Sequence, residues 1–527
     1  MLAASSAVTV SSLLLSLCSF CVLGESYRVG QVSVRALDVF APQEAAQGWV
    51  YRAANALRFQ TREAVIRQFL LFREGDPYNP ARLEETERNL RGLPFLKSAS
   101  VTGGLPHDGV VDIEVETQDA WTTEFGLSLG GKGGQTTYGF DLKDKDFLGL
   151  GKTLALSYDR GIDRITRLLQ YQDPYLFGPY WFSNFTYAVN SDGRESRFRV
   201  ARPFFSFVDP WSVDLFLDDL SENDRIFENG GVTSVFRKLQ RRGHALYGRA
   251  LAANDERARR LILGFRDEKD TFSRVRRRPT DVIPENRKFR YLVIRYAEIS
   301  NDYLKRNYVN RDSRFEDFNM GRSFAAELAL SPKLFGVDRA SGLARFEGSQ
   351  GWRLARGFLL ANASYETRWD RQPKNSILSG RIFLAQQLQT SLPQTFVSRL
   401  QLDRGWNLDR DVQFFADGVT GLRAYRVHAF EGNKRVVWNL EHRVFAGREF
   451  LHLISPGLAV FFDTGMVAPA ARSLSLSQFK SDLGVGLRFA ISRAADNGIV
   501  RVDAAYPINR DARRRRWLLS FSSGQAF

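Results

Sequence analysis

Asp463-Thr464-Gly465 has the form of an aspartic-protease loop, whose chemistry needs two carboxylates sharing one proton. The chain holds no second Asp-Thr/Ser-Gly, and Met466 stands where a small residue would follow. Leu148-Gly149-Leu150-Gly151-Lys152-Thr153 approaches a phosphate-binding loop. Such a loop opens on glycine, where Asp146 stands here, and leads into a helix whose N–H groups point at phosphate. Leu154, Leu156 and Tyr158 alternate as in a strand instead. The 5 histidines are scattered, without metal-ligand spacing. The sequence therefore predicts no catalytic residue, no cofactor and no metal, and a chain that is not an enzyme.

One constellation remains, and it is electrostatic. A long polar stretch, 407–431, contains Gly421-Leu422-Arg423-Ala424-Tyr425. The segment after it, KRVVWNLEHRVF, puts Arg435, Asn439, Glu441 and Arg443 on one face and Val436, Trp438 and Leu440 on the other. The next, PGLAVFFDTG, aims Leu458, Val460 and Phe462 one way and Asp463 the other. One loop arginine and two carboxylates on adjacent strands invite an internal ion pair. Arginine suits that task, since its planar fork engages carboxylates in two directions and stays charged.

The elements that must hold this cluster are strands. From Trp121 onward the chain is a succession of alternating segments about ten residues long, split by Gly, Asp, Asn and Pro turns. Val500, Val502, Ala504 and Tyr506 oppose Arg501 and Asp503; Leu483, Val485, Leu487 and Phe489 oppose Asp482 and Arg488. Phe396, Ser398, Leu400 and Leu402 oppose Arg399, Gln401 and Asp403. An apolar face toward lipid and a charged face toward a wet lumen is the outer-membrane pattern, whereas a soluble sandwich would bury its apolar faces together. The last segment, WLLSFSSGQAF, places Trp517, Leu519 and Phe521 on one face and ends at Phe527. Its exposed edge predicts a sheet that curls back on itself, with a seam between a first strand near 121–131 and a last near 517–527. Trp121, Gly126, Gly130, Trp517, Phe521 and Phe527 are the residues assigned to that seam. Gly126, Gly130, Gly131, Gly133 and Gly134 weaken its first strand, since glycine adds backbone entropy and no packing; they equally permit a bend. Pattern matching finds roughly seventeen to nineteen segments, an expected overcount from long loops within 220–375.

A module of different character precedes the strands. Val29, Val32 and Val34 suggest an opening strand, and Val65, Ile66, Phe69 and Leu70 recur at helical spacing over 61–73. Asn79 can cap the next helix, Pro80 fits its first turn, Leu83 and Leu90 share a face and Gly92 can end it. FLKSASV follows, and then Val111, Ile113 and Val115 alternate with Asp112, Glu114 and Glu116. This strand–helix–helix–strand–strand order, around FREGDPYNPARLEETERNLRGLPFLKSASV, resembles a single POTRA domain, with a longer stretch than usual at 37–60. The resemblance implies a periplasmic module that holds client polypeptides by adding a strand to a sheet edge, a mode suited to many sequences.

Composition fits export. Residues 1–24 read as a secretory signal cleaved before Glu25, although no Lys or Arg precedes the apolar stretch. Both cysteines, Cys18 and Cys21, lie inside it without a lipoprotein pattern, so the mature chain is expected to lack disulfides and thiolate sites. Beyond it no apolar run is long enough for a membrane helix, and aromatics reach 13% at a mean hydropathy of −0.29. The net charge of +15 is spread among strands and loops, with dense clusters only at 276–278 and 513–516. That distribution points to anionic lipid headgroups or plain solvated loops, not to nucleic acid.

These residues together carry a resemblance to the BamA/TamA superfamily of outer-membrane assembly factors, the bacterial surface antigen family. In that family a loop with a Val-Arg-Gly-Tyr-like motif folds into the barrel and its arginine meets acidic residues on the next strands. The resemblance makes Arg423 that arginine, Tyr425 its aromatic neighbour, and Glu441 and Asp463 the partners, with Ala424 in place of the usual glycine. DFLGLGKTLALSYD and LQYQDPYLFG resemble the family's early strands and periplasmic turn, and Phe527 its terminal signal. The implied architecture is mainly β: a transmembrane antiparallel barrel of about sixteen strands at 119–527, after one α+β POTRA domain at 25–118. The implied function is insertion or translocation of unfolded, β-rich outer-membrane or secreted clients at the bacterial outer membrane, with the module in the periplasm. Periplasmic chaperones, accessory lipoproteins, membrane lipids and lipopolysaccharide are the expected partners. A two-partner-secretion transporter and a passive porin are the alternatives.

Overall fold

Alternating valines open the described chain as strand β1 (Arg28–Leu37), followed by helices α1 (Pro42–Ala45), α2 (Trp49–Ala56), α3 (Glu63–Arg67) and α4 (Pro80–Arg91) and strands β2 (Leu96–Gly103) and β3 (Val110–Asp119). The computed structural model describes residues 27–40, 42–56, 59–132, 135–450, 453–473, 475–494, 498–509 and 517–527. The expected signal at 1–24 with Cys18 and Cys21, Gly133, Gly134 and the basic run 513–516 lie outside the described residues. The module's sheet has the order β1-β3-β2, with β1 parallel and β2 antiparallel to the central strand. Val111, Ile113 and Val115 of β3 are buried, and Ile113 and Val115 pack against Ile66, Phe69, Leu83 and Leu90.

Helix α4 has the predicted ends. The Asn79 side chain accepts the Ala81 N–H at 2.9 Å, Pro80 opens the first turn, where it forfeits no bond, and Gly92 closes the last. The helix expected over 61–73 is only α3, yet Phe69, Leu70 and Phe72 beyond it are buried. Packing against the sheet takes the chain out of the helix there, and the Thr86 hydroxyl, rather than a helical carbonyl, accepts the Leu71 N–H. The long stretch at 37–60 holds α1 and α2.

Strand β4 (Thr123–Lys132) begins a second sheet, in which twenty antiparallel strands follow one another among the described residues. The count corrects the implied sixteen. The supposed loops within 220–375 are strands, including Gly231–Ala253, Arg257–Arg274, Arg287–Ser300, Ser341–Leu354 and Gly357–Trp369. Their alternation was genuine, and the polar ends that resembled loops are strand continuing past the apolar belt. No described helix is long and apolar enough to cross a membrane, which says nothing of crossing by strands.

Burial in this sheet is inverted relative to a water-soluble core. Leu215, Leu263, Leu292, Leu328, Leu402, Leu458 and Leu483 are exposed on the outer face, while Glu327, Asp403, Glu441, Arg443, Asp463, Arg488 and Asp503 are buried inside. Along Lys480–Ile491, Asp482 and Arg488 are buried while Leu483, Val485, Leu487 and Phe489 are exposed, as the alternation predicted. Exposed apolar surface on this scale has no place in water.

Among the described residues the last strand, Leu518–Ser523, meets β4 at one paired position, Phe521 opposite Gly131. On its other side β4 is paired along its whole length, from Thr123 with Asp144 to Lys132 with Gln135. Pairing across the seam is thus sparse among the described residues.

Between strands Arg287–Ser300 and Ser323–Ser331, at the module end, the chain forms a small hairpin, Tyr303–Arg306 against Glu316–Asn319. Its tip reaches the lumen wall: the buried Val309 gives its carbonyl to Arg443 at 2.7 Å, and Tyr308 gives its carbonyl to Thr395 at 2.6 Å. Its base holds the module. Asp317 takes a forked pair of bonds from Arg91 at 2.7 and 3.1 Å, Lys305 pairs with Glu87 at 3.0 Å, and Arg88 lies over the Tyr303 ring. The glycine-rich turn at 147–151 also serves docking. It is a short 3-10 turn leading into strand Thr153–Arg160, and its Gly149 carbonyl accepts the Arg62 N–H at 3.1 Å.

Module docking is expected to respond to pH. Burial, with Arg493 and Arg314 of the barrel nearby, pushes the Lys97 ammonium down to about 8 from its ordinary 10.5, against Glu449 and Glu44, which raise it. The docked state therefore releases a proton that a free lysine keeps between about 8 and 10.5, so docking strengthens as pH rises through that window and is weakest below it. A fluorescence distance between α4 and the barrel, followed from about pH 7 to about pH 10, is expected to shorten, and Lys97→Met to flatten the response.

Candidate functional site

The 407–431 loop is braced at the rim away from the module and then dips into the lumen. Arg287 pairs with Asp411 and with Asp409 at 2.8 Å, and Arg368 with Asp409 at 2.9 Å. A two-residue ladder, Phe414–Phe415 against Glu431–Gly432, closes the loop's neck. Asp417 shapes the tip: its Oδ1 accepts the N–H groups of Val419 and Thr420, and its Oδ2 accepts that of His428 at 2.6 Å. Gly421 stands at φ +125°, where a side chain is strained, and a Cβ there would press on Val437. Leu422 and Tyr425 pack with Ala416 against the same Val437 of the wall.

This places Arg423 in the barrel interior, 6% exposed. Its Nε and Nη2 donate to the two oxygens of Asp463 at 2.7 and 3.0 Å. Its Nη1 donates to Glu441 at 2.8 Å and to Asp503 at 3.4 Å, and its face lies 3.4 Å from the centre of the Phe461 ring. Tyr425 donates its hydroxyl proton toward the Ser481 carbonyl at 3.1 Å and Asn509 at 2.9 Å. Ala424 donates its N–H to Asp482 at 3.2 Å. The structure thus brings together Arg423, Tyr425, Glu441 and Asp463.

The network is wider than those four residues. Glu441 also takes Arg443 at 3.0 Å and Arg488 at 3.3 Å, and Asp503 takes Arg488 at 2.6 Å and Arg501 at 3.2 Å. Asn439 bonds both Asp463 at 2.8 Å and the Gly421 carbonyl at 2.7 Å. Strand parity puts all of these residues on the inward face; what it omits is how far around the wall one guanidinium reaches. Two buried carboxylates, Asp463 and Asp482, stand directly opposite on neighbouring strands. That pairing is repulsive unless cations and N–H groups converge on it, as they do here.

The seam residues are only partly placed as expected. Phe521 and Gly131 form the paired position, and Trp517, Leu519 and Phe521 face outward. Trp517 rests on Tyr506 of the preceding strand, Ile499–Pro507. Trp121 is not on the seam: it precedes β4 and donates its N–H to the Arg493 carbonyl at 2.7 Å, in the turn beyond strand Lys480–Ile491. Gly126 and Gly130 pair with Asp141 and Thr137 on the side away from the seam, and a Cβ on Gly126 would collide with Asp141. Phe527 has left the strand altogether. The chain turns at Gly524, φ +77°, so that Arg443 donates to the Phe527 carbonyl at 3.2 Å and lies over its ring, while Arg488 donates to Gln525 at 3.2 Å. A left-handed turn at glycine after the last paired residue accounts for this, and alternation alone gives no sign of it.

No family profile and no curated protein matches the chain. Among solved structures it is similar to BamA from Haemophilus ducreyi lacking POTRA domains 1-3, with 14% identity, coverage of 94% of this chain and 84% of that one, and a TM-score of 0.39. It is also similar to CdiB from Acinetobacter baumannii (12% identity, 94% and 73% coverage, TM-score 0.47) and to CdiB from Escherichia coli (11%, 94% and 76%, 0.47).

Proposed function

We propose that the chain is an outer-membrane assembly factor that inserts or translocates β-rich client proteins through the barrel seam. The observation that carries this reading is the sparse pairing between the last strand and β4, one position among the described residues, beside a lumen occupied by the Arg423 loop. In this reading main-chain groups along the two seam strands pair with an incoming strand, which is how an extended polypeptide is taken up by a sheet edge. The work is exchange of hydrogen bonds and apolar burial, with no covalent step and no cofactor. In this reading the N-terminal module is a POTRA domain in the periplasm, where β1 and β2 are edge strands able to accept a client. The exposed apolar belt lies in the outer membrane, and the braced 407–431 loop faces outside. Unfolded clients arrive with periplasmic chaperones, and accessory lipoproteins dock on the module.

Depleting the protein and measuring the outer-membrane proteome tests this. Folded levels of several unrelated barrel proteins are expected to fall. Loss of one secreted substrate alone would point to a two-partner transporter, and a large steady conductance with normal client assembly to a porin.

A further inference from the structure

We propose that the outer face of the barrel, on the side of the apolar belt away from the module, holds a binding site for a phosphomonoester-bearing lipid, centred on Arg241, Lys269 and Lys288. The inference rests on the reading that the belt lies in a membrane, and it goes further by naming what one sector of the wall binds.

Strand register sets up the site. Tyr187, Ser196, Asp219, Arg241, Lys269 and Lys288 stand directly opposite one another across six consecutive strands. Three of these in a row are cations. Like charges directly opposite in a sheet are destabilising, so the row asks for an anion. Asp219 meets only part of that demand: it pairs with Arg241 at 2.9 Å, and the Arg241 side chain stays 74% exposed. Lys288 is held by the Gly336 carbonyl at 2.8 Å, which positions its ammonium without neutralising it. Lys269 is exposed, with no hydrogen bond or ion pair among the described residues. One step toward the rim, Arg194 lies in the row Arg194, Ser221, Leu239, Thr271, and it too is exposed and without such a partner.

The surface between these rows is concave. A cavity of about 690 Å³ is lined by Arg194, Arg241 and Lys269 together with Tyr187, Val189 and Leu239. Toward the module the next row is neutral, because Asp267 is paired with Arg290 at 3.0 Å. The row beyond it is wholly apolar: Leu215, Ala245, Phe265, Leu292 and Leu330. Residues two apart on one face are separated by about 6.7 Å, so the cations sit about 13 Å above that row. This is headgroup height over acyl chains.

An occupant must therefore place several negative charges on the rim side of the belt while lying against apolar wall. A phosphate monoester carries about −1.5 to −2 charges at neutral pH and three acceptor oxygens, enough to bridge neighbouring cations, whereas a carboxylate brings one charge. A lipid of the outward leaflet with such groups fits both halves of the surface; a soluble polyanion fits only one.

The test uses the full chain in phosphatidylcholine nanodiscs, wild type against Arg241→Gln/Lys269→Gln/Lys288→Gln. All three side chains lie on the outer face away from the lumen network, and unchanged electrophoretic heat-modifiability confirms that the variant is folded. The probes are diphosphoryl lipid A, its dephosphorylated form and inorganic phosphate, with retention read by native mass spectrometry. Wild type is expected to retain diphosphoryl lipid A at least about tenfold more tightly than the triple variant, since one lost charge-assisted contact already corresponds to that factor. Retention of the dephosphorylated lipid is expected to be weak. Equal retention by wild type and variant, or of both lipids, would overturn the proposal while leaving the membrane reading intact. Competition by inorganic phosphate alone at comparable concentration would also overturn it, since the lipid part would then contribute nothing. Failure of the wild type to enter nanodiscs would overturn both.

Discussion

Replacing Arg423 with alanine unseats the 407–431 loop. The guanidinium is the shared partner of Asp463, Glu441 and Asp503, all 0% exposed. Without it Glu441 and Asp503 keep Arg443, Arg488 and Arg501, but Asp463 loses its cation, and leaving a buried charge uncompensated costs about 3–5 kcal/mol. An exposed pair such as Arg353 with Asp302 is the control, worth about 0–1 kcal/mol. Arg423→Lys is expected to behave almost as badly as alanine, because a single ammonium cannot address Asp463 with two parallel bonds and Glu441 with a third. Two measurements check this: the thermal unfolding midpoint, which should fall, and protease cleavage within 407–431, which should rise in intact cells. An unchanged midpoint together with a protected loop would refute the lock.

The second large effect concerns the seam. A disulfide between Gly131→Cys and Phe521→Cys joins a position at which the last strand pairs with β4. Opposite residues in an antiparallel ladder have Cα atoms about 4.5–5.5 Å apart, inside the range a disulfide spans. Both native cysteines lie at 18 and 21, within the expected signal, so the engineered pair should find no competitor. Under oxidising conditions client assembly is expected to stop while the protein stays folded, and a reductant is expected to restore it. Full activity of the cross-linked protein would mean that clients do not pass this seam.

How much of this was legible depends on the range of the interaction that decides each feature. Short-range rules read helix α4 correctly, because Asn79, Pro80 and Gly92 act on their own turn. They failed at 61–73, where Phe69, Leu70 and Phe72 are claimed by the sheet. Alternation placed Glu441 and Asp463 inside because a strand's period of two needs no knowledge of its neighbours. Asp503 and Arg488 lie on equally clear strands, yet their part in the cluster depends on the curvature of the wall and on where the loop tip rests. The strand number was misjudged for a related reason: strands such as Gly231–Ala253 extend past the belt and carry polar ends that resemble loops. The inward turn of Phe527 hangs on one backbone angle at Gly524.

The hairpin at the module end is gripped from two sides, by Arg91 through Asp317 and by Arg443 through the Val309 carbonyl. Arg443 shares Glu441 with Arg423, so helix, hairpin, wall and loop are joined by one continuous chain of ion pairs and hydrogen bonds. A tug on the module is expected to strain the hairpin first and the loop's anchor next. The two mouths of the tube are thus joined through one set of contacts, and a disturbance at one is expected to register at the other.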